Sequence, residues 1–360
     1  MIGERVKQAR ELRSLTQEQL ADQVGVKQAT IALIEREALK VRDEIAARIA
    51  EITGFPADFF DLPVEQDFPL GSLVYRKFAR MKAEHKKLSH RLAQQAFELS
   101  EFLAAQLKPI VVRLPRVTDE DSESAARIVR NALGVDPTSP LKNLIQKLER
   151  VGVRIFVLPE DIPDLDAFSI MVEGRTPVVV LNAAQAGDRQ NFSIAHELGH
   201  LVLHYPLTTD QDEIEREANR FAAELLMPEE AMRAEMAIPV TLSTLAELKS
   251  RWWVSIAALL QRAKQLGIVN EGQYLYLRKQ ITQANWLKHE PIGIPADRPR
   301  ALRRMAEVAY GGTINVRKIA KDAKRPPFLV ASLLDASSLV PSDGRVLGFR
   351  SKDDSELAEA

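Results

Sequence analysis

The stretch FSIAHELGHLVLHY, residues 192–205, constrains this chain more than any other, because three of the six histidines sit there among mostly apolar neighbours. On an α-helix, two residues four apart share a face and are separated by about 6 Å along the axis. His196 and His200 can therefore reach one cation. Zinc suits them, since it takes neutral imidazole nitrogens in a tetrahedral shell and leaves a position open in reactive sites. Glu197 lies one step round the helix, placed to act as a general base on water at the cation without binding it. Gly199 costs a helix interior about 1 kcal/mol relative to Ala, which implies that another backbone or a substrate passes close by.

Two histidines do not complete a shell. His204 lies about 12 Å along the axis from His196, so one ion cannot bridge both. The longer zinc motif also fails, because position 206 is Pro. His204 is expected as a polar residue at a cleft edge or as a hydrogen-bonded core histidine. The third ligand is expected from the next helical run, DEIEREANRFAAELLMP, where Glu213, Glu215 and Glu217 compete. Ala218, Phe221, Ala222, Leu225 and Leu226 form its buried stripe. Glu215, beside that stripe, is the expected ligand, with Glu217 the alternative. Asn219 is placed to accept a hydrogen bond from the outer nitrogen of a liganding histidine.

A chain of 360 residues exceeds what one compact core usually sustains. With no cysteine, disulfides and thiolate ligands are excluded. No apolar run approaches the roughly 20 residues of a membrane span, and the start MIGERVKQARELRS lacks a signal-peptide core, so a cytoplasmic protein without membrane contact is expected. Residues 1–65 read as short helices. Thr16 with Gln19 forms a capping signature, Gly25 is a stop, and VKQATIALIE follows after a very short turn, which is a helix-turn-helix pattern. Residues 66–115 read as a connector with one long helix from about Leu73 to Lys108, basic in its first half through Arg76, Lys77, Arg80, Lys82, Lys86, Lys87 and Arg91. Helices near Asp121–Leu133 and Leu141–Val151 then precede three β-rich runs, VRIFVLP, AFSIMVEG and TPVVVLN. The helix pair with Ser255 as a cap is expected to be packing. Residues 271–360 show no chemistry; Trp286 and His289 are expected in a core, and SKDDSELAEA is an acidic tail. The expected fold class is α+β and mostly helical, with an all-α N-terminal domain, a zincin-like domain over 116–270 carrying a small sheet, and a helical C-terminal region.

At RQNFSIAHELGHLVLH and EREANRFAAELLMP, preceded by TPVVVLN, the sequence resembles the ImmA/IrrE family of zinc metallopeptidases. The resemblance implies His196, His200 and Glu215 as ligands of Zn2+ and Glu197 as the catalytic base. Asn219 occupies the place of the aspartate in the E-x-x-x-D motif of related zincins. The first sixty residues resemble a phage-repressor (XRE-type) helix-turn-helix domain. The order as a whole resembles fused regulators of this kind, which implies a regulatory protease that cleaves repressors in stress, mobile-element or defence circuits.

For DNA, the exposed groups expected to act are Lys27, Gln28 and Thr30, with Gln17 as a phosphate contact at a helix N-terminus. Ala29, Ala32 and Leu33 offer no hydrogen bonds, and acidic side chains outnumber basic ones over residues 1–65. Phosphate attraction then comes from local placement, from a homodimer, or from the basic connector. Two functions follow: a zinc endopeptidase acting on a protein substrate, or a DNA-binding regulator whose zincin domain is a sensor without turnover. The first expects TPVVVLN as an exposed edge strand for an extended substrate, with Pro177 compatible with an edge. His204 and Tyr205 are its candidates for stabilising the oxyanion.

Overall fold

The computed structural model describes residues 1–64, 68, 81–117, 120–205, 211–287 and 289–337. The N-terminal helices are α1 (Gly3–Leu12), α2 (Gln17–Val24), α3 (Gln28–Glu35) and α4 (Asp43–Thr53), followed by a 3-10 turn at Ala57–Asp61. Thr16 and Gln19 form a reciprocal capping box, and Gly25 ends α2 with φ at 76°. Val6, Ala9 and Leu12 share the buried face of α1.

The connector helix α5 (Ala83–Ala104) is shorter than the periodicity predicts. Met81 is buried and Lys82 is extended, so the helix starts only at Ala83. It stops at Ala104 in tight i to i+3 turns before Pro109, which disfavours a helical residue ahead of it. Arg76, Lys77, Arg80 and the acidic tail lie outside the described residues.

Next come α6 (Ser122–Ala132), capped by Asp121, and α7 (Leu144–Arg150). Strands β1 (Arg154–Val157), β2 (Ala167–Val172) and β3 (Thr176–Leu181) form one sheet in the order β1-β3-β2. β3 runs parallel to β1 and antiparallel to β2. TPVVVLN is therefore the central strand, and the expectation of an exposed edge there is overturned. Pro177 is tolerated because the ladder to β1 begins only at Val178.

The sheet separates two layers. Side chains alternate along a strand. Ile155, Val157, Ala167, Met171, Val179 and Leu181 face the core around the histidine helix. Phe156, Phe168, Ile170, Val172, Val178 and Val180 face a second core shared with α1 to α5.

The first layer holds α8 (Gly187–Leu203), α9 (Gln211–Leu226), α10 (Glu229–Glu235), α11 (Leu242–Trp252), α12 (Ile256–Gln265) and α13 (Glu271–Gln283). Ser255 caps α12, and α11 and α12 contribute Leu245, Trp252, Ile256 and Leu259 to the core, as expected of packing. The C-terminal helices α14 (Ala301–Ala309), α15 (Val316–Asp322) and α16 (Pro327–Ala336) join the second layer. Trp286 packs on the first core, whereas His289 is exposed in a non-helical surface stretch, contrary to the expected core placement. The chain is thus mostly helical with a small three-stranded sheet among the described residues. No described helix is long and apolar enough to cross a membrane.

Candidate metal centre

Gly199 brings α8 and α9 together. A Cβ built on it would stand 3.1 Å from both Ala218 Cα and Phe221 Cδ1, so the two helices meet backbone to backbone at this point. That contact explains a glycine in mid-helix. It also sets Glu215 and Asn219 opposite the histidines one turn away.

His196 Nε2 and His200 Nε2 lie 3.0 Å apart. Glu215 places its carboxylate oxygens 3.4 Å from the first and 3.5 Å from the second. One ligand atom from each of the three residues lies within 4.8 Å of the others, in a pattern that could hold a metal ion. The two histidines are buried and Glu215 is half-buried. Hydrogen bonds from His196 and His200 hold the Glu215 carboxyl well below the usual carboxylate range, so it is anionic. Two imidazole nitrogens and one carboxylate, with no cysteine in the chain, form a donor set that suits zinc with an open position.

The outer nitrogens are also occupied. His196 Nδ1 lies 3.1 Å from Asn219 Oδ1, and Asn219 Nδ2 donates to the Glu215 backbone carbonyl at 2.8 Å. His200 Nδ1 lies 3.1 Å from His204 Nδ1, and His204 Nε2 lies 2.9 Å from Glu217 Oε2. Among the three competing glutamates, Glu215 meets the two histidines, Glu217 meets His204, and Glu213 pairs with Arg216 and Arg220. His204 is a buried, hydrogen-bonded histidine, and burial lowers its pKa.

Glu197 is buried, and its Oε2 accepts a hydrogen bond from Ser169 Oγ at 2.7 Å. Sequence reasoning missed Ser169. The signal was a hydroxyl between Ala167 and Met171 on the strand face turned toward the histidine helix. Neither expected oxyanion group is disposed for that task. Both ring nitrogens of His204 are engaged, and Tyr205 stacks under Arg116 at 5.7 Å beside Gly174. A cleft of about 1110 Å³ adjoins the centre on the Asn219 side, lined by Phe192, Ser193, Arg220, Gln261 and His289 among others.

In the N-terminal domain, Lys27 and Gln28 are exposed and Thr30 is half-buried. Gln28 Nε2 donates to Gln17 Oε1 at 2.8 Å, and Gln17 Nε2 donates to Glu35 Oε2 at 2.7 Å. The first residues of α2 and α3 are therefore locked side by side, so Gln28 presents its remaining polar atom from a fixed position.

Residues 6–60 match the family model described as helix-turn-helix. Residues 148–264 match a peptidase-family model described as the IrrE N-terminal-like domain, a range that contains His196, Glu197, His200 and Glu215. No curated protein gives a match. The chain is therefore a fusion of an XRE-type helix-turn-helix domain with an ImmA/IrrE-like peptidase domain.

Proposed function

We propose that this chain is a DNA-associated regulatory zinc endopeptidase that cleaves a repressor or another regulatory protein in a stress, mobile-element or defence circuit. The observation that carries the reading is the convergence of His196, His200 and Glu215 with Glu197 buried alongside. When bound, zinc supplies Lewis acidity that polarises a scissile carbonyl and eases deprotonation of water. His196 and His200 would hold it through Nε2, and Glu215 through its carboxylate. Glu197 takes a proton from the attacking water on its carboxylate and returns it to the leaving amine. Ser169 holds that carboxylate in place through its hydroxyl.

The strand that borders this base is β2, which ends the sheet. Among the described residues β2 is an edge strand, which suits pairing with an extended substrate, and the adjoining cleft takes its side chains. Lys27, Gln28, Thr30 and Gln17 carry DNA contact, with a homodimer adding affinity for a two-fold site. A structural zinc site closes its shell with a fourth protein ligand and has no use for a base, so Glu197 argues against a sensor without turnover.

The test compares zinc-loaded wild type with Glu197→Gln in extracts of the source cell, reading newly formed protein N-termini by mass spectrometry. New termini with wild type alone support the reading. Identical termini from both proteins contradict it.

A further inference from the structure

The polarity of the hydrogen bonds behind His200 points to a second role for its neighbours. We infer that Glu217 and His204 form a relay that fixes the tautomer of His200 and so prepares it as a metal ligand, an inference that rests on the zinc reading above.

His200 can ligate through Nε2 only if its ring proton sits on Nδ1. That N–H then needs an acceptor, and the atom facing it at 3.1 Å is His204 Nδ1. His204 must therefore carry its own proton on Nε2, which points at Glu217 Oε2 at 2.9 Å. A carboxylate accepts only, so Glu217 sets the direction of the whole chain. Without it, His204 is free to carry its proton on Nδ1. That proton faces His200 and drives the His200 proton to Nε2, where it blocks the ligand position.

The same logic operates on His196 with fewer parts. Asn219 Nδ2 donates to the Glu215 carbonyl, which leaves Oδ1 to accept from His196 Nδ1. Both imidazoles are thus oriented from behind, one by an amide and one by a carboxylate–histidine pair. The spacing from His196 to His200 to His204 repeats at four residues, which lines the three rings up along one side of the helix, the first pair edge to face and the second tilted. The His204 side chain is only 5% exposed, so its ring rather than water faces His200, while Glu217 is 35% exposed and keeps its carboxylate near the surface.

The relay is tested on the full chain with His204→Leu, Glu217→Ala and the conservative His204→Gln, whose amide offers an acceptor to His200 and a donor to Glu217. Zinc affinity is measured by chelator competition, with the helical signal and thermal midpoint of the zinc-free chain as folding controls. Nitrogen-15 NMR of histidine-labelled, zinc-free protein reads the tautomer of His200 directly. We expect His204→Leu and Glu217→Ala to bind zinc about 10- to 100-fold more weakly, with His204→Gln restoring most of the loss. In the zinc-free chain Glu215 faces His200 Nε2 at 3.5 Å and pulls the ring proton there against the relay, so we expect the share of His200 protonated on Nδ1 to fall from the wild type to Glu217→Ala. Zinc affinity equal to wild type in both disruptive variants, with an unchanged tautomer, overturns the relay. Failure of the wild type itself to bind zinc overturns the metal reading, and the tautomer spectrum separates the two failures.

Discussion

Gly199 rests against Ala218 where α8 crosses α9, with 3.1 Å left for a Cβ that glycine does not have. Alanine there gains about 1 kcal/mol of helix propensity. It also presses on backbone and an aromatic ring, which cannot swing away. The two effects nearly offset in stability, but the proposed ligands ride on opposite helices, so zinc affinity is expected to fall. A larger side chain, in Gly199→Leu, is expected to cost about 1–3 kcal/mol and to lose zinc. Denaturant melts with zinc titration check this; wild-type zinc affinity in Gly199→Leu contradicts it.

How much of this arrangement was legible depends on the range of the interactions involved. Thr16, Asp121 and Ser255 cap helices through atoms three residues away, so local sequence was enough. The four-residue spacing of His196 and His200 likewise carries its own geometry. Strand order is different, because β3 gains its parallel partner from β1 more than twenty residues earlier. The unbroken run Val178, Val179, Val180, Leu181 was the available sign of burial on both faces, and hence of a central strand. The pairing of Glu217 with His204 depends on how α9 is rotated against α8, which no spacing within one helix records.

Glu98 is buried between Arg5 of α1 and Arg325 from the turn before α16, at 2.7 Å from each. Removing one partner of such a pair leaves buried charge uncompensated. Glu98→Ala is expected to destabilise the chain by about 3–5 kcal/mol. Urea unfolding measures this, and a loss no larger than that of a surface substitution counts against it.

Glu149 accepts the backbone N–H groups of Arg300 and Ala301 at the start of α14, yet burial raises its carboxyl from 4.5 to about 7. The folded chain then holds a proton that the unfolded chain releases above about pH 4.5. Stability from this site is therefore full below about pH 4.5 and declines as pH rises through about 7. Glu149→Gln keeps one carbonyl oxygen, which can accept both N–H groups as Glu149 Oε1 does, and cannot ionise. It should match the wild type in acid and exceed it in thermal midpoint at about pH 8. A lower midpoint in alkali contradicts the assignment.

On the DNA side, Gln28 is held by Gln17 while Lys27 stands exposed beside it. Lys27→Ala is expected to weaken binding to all sequences alike and to reduce the salt slope by about 1. Gln28→Ala is expected to cost about 1–3 kcal/mol on the preferred site and to relax base preference. Fluorescence anisotropy across a salt series distinguishes them, and equal effects of both variants on specific and random DNA contradict the assignment.

The most direct test of the central claim is the zinc content of the purified chain, wild type beside Glu197→Gln and Glu215→Ala. About one zinc per chain is expected in the first two and none in the third, since the proposed shell includes Glu215 and not Glu197. Full zinc in Glu215→Ala, or none in the wild type after zinc is supplied, contradicts it.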